Sequence, residues 1–158
     1  MNKLKFLTIA AATSMMLFSC GGSETSNTTV EETVTEEVVS EGPVEIDPME
    51  DKGVGPFTGT IEFGDLDQVM VDAGLELFKS KCKACHKVEK RKIGPAMKGL
   101  TERRTPEWIM NMILDPDRMV KENKIARDLL MEYSAPMANQ SLTEEEARSI
   151  LEYFRTIN

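Results

Sequence analysis

Apolar residues recur at helical spacing through the second half of the chain, and nowhere do they alternate over a run long enough for a convincing strand. Val69, Val71, Leu75, Leu77 and Phe78 predict a first helix that runs into Cys82. Thr105-Pro106-Glu107 opens a second, with proline at the first helical position and Trp108, Ile109, Met112 and Ile113 behind it. Lys121 to Met131 reads as a third helix. The last has the strongest start signal. Thr143-Glu144-Glu145-Glu146 is a capping box, and Ala147, Ile150, Leu151, Phe154 and Ile157 follow on one face. Between Lys87 and Arg104 lies a loop rich in Gly, Pro and Lys. The expected fold class is therefore all-α, with about four short helices and long loops. Residues 68–158 with such loops bury little surface by themselves, so a filler for the middle is required.

Ahead of this region the pattern changes twice. Lys3 and Lys5 precede an apolar run from Phe6 to Phe18, which is too short for a membrane-spanning helix of roughly 20 residues and reads as an export signal over residues 1–19. Its ending, Leu17-Phe18-Ser19-Cys20-Gly21, resembles a bacterial lipobox, so Cys20 is expected to carry lipid and to begin the mature chain. From Gly21 to about Asp67 there are 13 acidic residues against one lysine and few apolar side chains. Residues 20–67 are accordingly expected to form a lipidated cysteine with a disordered acidic tether, spanning on the order of 40 Å, with a short piece around Thr60 to Phe63 packed on the domain. The expected location is the cell envelope, anchored in a membrane and facing the periplasm or the exterior.

Composition narrows the function. The whole chain of 158 residues is 41% hydrophobic, with 19 basic and 27 acidic side chains and a net charge of −8, which speaks against a nucleic-acid binder. Residues 68–158 carry 16 basic and 14 acidic side chains, so the acidity belongs to the N-terminal half. Three cysteines exclude a disulfide scaffold, and a single histidine, His86, excludes sites that need two imidazoles.

Cys82-Lys83-Ala84-Cys85-His86 is C-x-x-C-H, the attachment sequence of c-type haem. Two thiols about one helical turn apart reach the two porphyrin vinyl groups, and the adjacent imidazole falls under the iron. A thioredoxin-like dithiol would want a βαβ surround, and a zinc site would want further Cys or His ligands; neither is present in the domain. One covalently bound haem c is the expected cofactor and the missing filler.

With that motif the domain resembles a class I, single-haem cytochrome c over residues 68–158. The family's first helix carries a glycine and an aromatic at four-residue steps before the first haem cysteine, matched by Gly74, Phe78 and Cys82, and its last helix crosses that glycine, matched by Ile150 with Tyr153-Phe154. His86 is then one axial metal ligand, and a methionine, a lysine or an open position remains for the other. Of the six methionines after the motif, Met137 follows Pro136 in the loop before the last helix, where the family places its ligand; Met131 is next. Gly94-Pro95 matches the family's loop in which the proline carbonyl accepts from the axial histidine. Arg103, Arg104 and Trp108 are candidates to hold the haem propionates, without a family counterpart.

The resemblance implies one-electron transfer rather than catalysis, because Met/His ligation leaves no position for substrate. The expected partners are a redox donor and acceptor, namely a quinol-oxidising complex and a terminal oxidase or denitrification-type reductase, with the membrane engaged through lipid. The alternative is a haem enzyme or sensor with an open sixth position. From Lys79 to Arg104, ten basic side chains stand against Glu89 and Glu102, a local +8 that is either a solvated face or a docking face for an acidic partner.

Overall fold

The computed structural model describes residues 46–158; the expected signal segment, Cys20 and the first part of the tether lie outside the described residues. The described residues are helical with no strand, and the nearest approach to one is an isolated parallel bridge between Lys87 and Ala96. Five α-helices appear: α1 (Gln68–Leu77), α2 (Pro106–Leu114), α3 (Pro116–Glu122), α4 (Lys124–Tyr133) and α5 (Glu144–Phe154). None of the described helices is long and apolar enough to cross a membrane.

Each helix begins on a side-chain cap that satisfies its otherwise unpaired N–H groups. Asp67 caps α1, Thr105 caps α2 with Pro106 behind it, and Asp115 caps α3. The capping box expected for α5 is formed, with Thr143 and Glu146 exchanging both bonds. The single helix expected over Lys121 to Met131 is instead two. Asn123 adopts an extended backbone, ends α3 and accepts from the Ala126 N–H to start α4. Its Oδ1 also takes the indole N–H of Trp108, so the break pins α2 as well.

The most extensive packing is between α1 and α5. Gly74 makes it possible: a Cβ on this residue would collide with the carbonyl of Ser149 in α5, so the two backbones touch where a side chain would have kept them apart. One turn further, Phe78 is buried against Tyr153 and Phe154, with ring centroids 5.5 and 5.9 Å away, the second pair edge-on. The family's helix crossing is thus realised by the residues the sequence offered for it.

Residues 51–67, expected to belong to the tether, are instead bonded into the folded domain. Residues 51–67 lie as a strap over α2, α3 and α5, held through backbone atoms by buried side chains. Thr105 donates to the Asp51 carbonyl at 2.5 Å, and Asn123 donates to the Asp51 carboxylate at 2.7 Å. Asn111 bonds Lys52 and Phe57, Glu107 accepts from the Ile61 N–H at 2.9 Å, and Glu152 accepts from the Asp67 N–H at 3.1 Å. Val54, Phe57 and Ile61 add apolar contact with the core. The stretch is acidic and apolar-poor, yet the helices supply partners for its backbone, and that offsets the loss of chain freedom.

Candidate cofactor-binding site

Between α1 and the cysteine motif the helix widens. Phe78–Cys82 form a π turn, closed by the Lys83 N–H to the Phe78 carbonyl at 2.9 Å. A π turn advances less per residue than an α-helix, so it turns Cys82 back towards the face that carries Gly74 and Phe78. The next turn is tight: the N–H groups of Cys85 and His86 both donate to the Cys82 carbonyl, at 3.1 and 2.9 Å. The chain then doubles back. Ile93 and Gly94 donate to the Cys85 carbonyl and Met97 to that of Lys87, which brings Pro95 over His86.

There the His86 Nδ1 lies 3.1 Å from the Pro95 carbonyl oxygen. A carbonyl only accepts, so Nδ1 carries the proton and Nε2 is left with a free lone pair for a metal. Burial pushes the imidazole's pKa below its ordinary value, and the Pro95 bond only partly offsets this. Gly94 completes the cradle, since a Cβ there would strike the His86 ring. Burial, with the neighbouring Cys85, raises the Cys82 thiol to about 11, so it is an uncharged thiol at neutral pH.

Cys82, Cys85, His86 and Pro95 line one side of a mainly apolar cavity of about 220 Å³, and Met137 lines it too. Of the other methionines, Met97 and Met112 also reach the cavity, Met110 is core, and Met119 takes the Val54 N–H on its sulfur at 3.2 Å. Met131 is 66% exposed and is absent from the cavity wall. The expected site residues of the domain therefore come together around one space; Cys20 lies outside the described residues.

The propionate candidates separate. Arg103 is spent on the carbonyls of Ala96, Lys98 and Gly99, which pin the loop behind the motif. Trp108 gives its N–H to Asn123 at 3.2 Å. Arg104 stacks over the Trp108 ring at 5.2 Å and lines the cavity; burial and then the Arg103 charge hold its pKa below the usual value, against the pull of Asp51. All three line the cavity, and Arg104 also donates to the Arg103 carbonyl at 2.6 Å, so the two arginines both bring positive charge to its wall.

A family model described as Cytochrome c matches residues 71–158. The chain belongs to the cytochrome c family. Cytochrome c-551 of Ectopseudomonas mendocina is 34% identical over 87 residues, covering 54% of this chain and 98% of that protein. A solved cytochrome c from Rhodothermus marinus is 38% identical, with a TM-score of 0.63, over 65% of this chain and 89% of that one. An engineered form of the Rhodothermus marinus cytochrome, bound to a carbene intermediate, is similar at 38% identity and a TM-score of 0.60. The structural likeness extends over more of the chain than residues 71–158, so it continues into the segment ahead of Val71. As a member of this family the protein carries covalently bound haem c and transfers electrons. The site fits that cofactor: the wall is apolar, two thiols and an imidazole with a free Nε2 share it, and the one glycine against the imidazole leaves no side chain in the way.

The strap-holding residues Glu107, Asn111, Asn123 and Glu152 escaped the sequence reading. Their signal was present: each is a polar side chain set among apolar neighbours on helices or at a helix start, which calls for a buried partner.

Proposed function

We propose that this cytochrome passes single electrons on the outer side of a membrane, tethered through lipid on Cys20, from a quinol-oxidising complex to a terminal oxidase or a denitrification-type reductase. Cys82 and Cys85 would hold the haem through thioethers, and His86 Nε2 and the Met137 sulfur would be its iron ligands. When bound, the haem supplies an iron that changes charge without substrate bond-making. The protein's part is to hold the ligands fixed: Pro95 keeps the imidazole in one tautomer and one orientation. Pro136 restricts the backbone just before Met137, so the thioether is presented from a loop without its own helix.

The observation that carries this reading is the meeting of Met137 and His86 on the wall of one apolar cavity, with both cysteines between helix and loop. The basic side chains around the motif favour an acidic redox partner. Lys79, Arg91 and Lys98 are engaged by Glu76, Glu132 and Glu89, whereas Lys81, Lys83, Lys87 and Lys90 have no ion-pair partner among the described residues. They leave a positive collar whose signature is an electron-transfer rate that falls as salt rises.

The test is spectroscopic. The oxidised wild-type protein should show the weak near-infrared sulfur-to-iron band, and Met137→Ala should lose it, keep covalent haem and show a lower potential, because a thioether favours ferrous iron. A high-spin wild-type spectrum without the band would overturn Met137 ligation in favour of an open site for a small ligand.

A further inference from the structure

The loop that carries Met137 is built in an unusual way. Ser134 and Ser141, with φ of 52° and 53°, are the two non-glycine residues with left-handed backbone among the described residues, and they stand immediately outside residues 135–140. Such a conformation is unfavourable for any side chain with a Cβ and persists only where surrounding contacts hold it. Those contacts are mostly local: the Ser134 N–H closes α4 on the Leu130 carbonyl at 2.9 Å, the Ser141 N–H donates to Asn139 Oδ1 at 2.7 Å, and Ser134 Oγ and Gln140 Nε2 donate to the Met131 and Ala138 carbonyls. No backbone-to-backbone hydrogen bond involves residues 135–142 among the described residues, and one end is fastened by Asn139 Nδ2 to the Leu114 carbonyl at 3.2 Å.

The other end is fastened from the loop after His86, at the surface beside Tyr133 of the cavity wall. Arg91 belongs to the loop after His86, and among the described residues it is the one side chain that hydrogen-bonds from that loop to α4. Its Nη2 donates to the Glu132 carbonyl at 3.3 Å, its Nη1 lies 4.0 Å from the Glu132 carboxylate, and its guanidinium sits over the Tyr133 ring at 4.2 Å. Glu132 and Tyr133 directly precede Ser134. Arg91 therefore ties the imidazole side of the site to the hinge of the thioether side.

We propose that Arg91 is a positioning residue for the sixth iron ligand, a latch that holds the Met137 loop closed and whose release admits a small neutral ligand to the iron. The proposal rests on Met137 ligation. With left-handed residues at both ends and bonds that are mostly internal, the loop has few ties to other elements, and Arg91 supplies three contacts of such a tie at once. The exposed ion pair adds little by itself. Stacking on Tyr133 and the bond to the carbonyl carry the effect, and lysine cannot reproduce the planar fork that makes both.

The experiment titrates the oxidised holoprotein with imidazole, a neutral ligand that avoids a charge artefact, and follows the loss of the sulfur-to-iron band in wild type, Arg91→Ala, Arg91→Lys and Lys90→Ala. Arg91→Ala should bind imidazole about fivefold to tenfold more tightly, a change of up to about 1.4 kcal/mol. Arg91→Lys should fall near Arg91→Ala, and Lys90→Ala, which removes a neighbouring charge without touching α4, should stay within about twofold of wild type. Equal affinities for Arg91→Ala and Lys90→Ala, with the band present at the start in both, would overturn the latch while leaving Met137 ligation intact. Absence of the band from the wild type would remove the ligation reading itself.

Discussion

Replacing Asn111 by alanine is the sharpest probe of the strap. Asn111 is 2% exposed on α2 and makes three hydrogen bonds to the chain crossing it: it accepts from the Phe57 N–H at 3.0 Å and donates to the carbonyls of Phe57 and Lys52 at 3.1 and 3.2 Å. Each is worth about 1 kcal/mol net, so their direct loss comes to roughly 3 kcal/mol. Two responses bound the outcome. If the strap stays in place, the Phe57 N–H and two carbonyls are left without partners at about 1–3 kcal/mol for each group kept from water. If it lifts, those groups reach water, but the contact of Val54, Phe57 and Ile61 with the core goes with it. The chain takes the cheaper course, which puts the expected loss at about 2–4 kcal/mol. For a domain of this size that lowers Tm by roughly 10–20 °C. Thermal unfolding of the holoprotein measures the total, and amide hydrogen exchange separates local from global loss. Exchange at Phe57 and Ile61 should accelerate far more than exchange in α1 and α5. A loss below about 0.5 kcal/mol, with Phe57 exchanging as slowly as in wild type, would refute the assignment of the strap to the folded unit.

Glu152, 1% exposed, has its carboxylate engaged by Arg148, Arg155 and the Asp67 N–H. Burial alone would raise its pKa, but the Arg148 bond, the Asp67 N–H and the two guanidinium charges outweigh that and hold it below the usual carboxylate value. A depressed folded pKa contributes stability that is present above the unfolded value, about 4.3, and is lost as pH falls through the folded value. Glu152→Gln should therefore lower the urea midpoint at pH 7 by an amount equivalent to about 2 kcal/mol, less than for a fully enclosed pair because both arginines reach water, and the gap to wild type should close below about pH 4. A gap that is the same at pH 7 and pH 3.5 would refute the role of the charge. Cys20→Ser should give a protein that leaves the membrane fraction yet still stains for haem, since the proposed anchor is a different cysteine from Cys82 and Cys85; retention in membranes would sink the lipid anchor.

What was legible in the sequence was whatever side chains announce locally. Cys82, Cys85 and His86 are contiguous, and Thr143 with Glu146 forms its cap within one turn, so neither needed knowledge of the rest of the chain. Gly74 was legible because helix spacing set it in line with Phe78 and Cys82. The split between α3 and α4 was not, because apolar positions run on through Val120, Ile125, Ala126 and Leu129 and mask a break made by one side chain, Asn123, accepting from the Ala126 N–H. Asn123 is nonetheless a good cap residue, as Asp115 is before Pro116, and both signals were there to be weighed. The strap was the hardest to see. It is held mostly through its own N–H and C=O groups, which every residue possesses, so its side chains carry the composition of a solvated segment while its backbone is committed to the fold.

The burial of α2 explains why the strap must exist at all. Six of the nine residues of α2 are buried, and they fall on every side of the helix: Ile109 and Ile113 face the cavity, while Glu107 and Asn111, one turn apart, face the opposite way and meet the strap. A helix buried all round needs a cover all round. The cavity and α5 provide it on one side only. On the other, an apolar cover would have packed but fixed no register, whereas a carboxylate and an amide at consecutive turns accept only a backbone that offers its N–H groups at the matching interval, as Phe57 and Ile61 do. Every buried side-chain polar atom among the described residues has a partner, so this arrangement leaves none of the orphaned groups that make buried polarity costly. The strap thus fixes the outer face of the helix whose inner face lines the haem cavity, and the folded unit includes residues 51–67 ahead of Gln68.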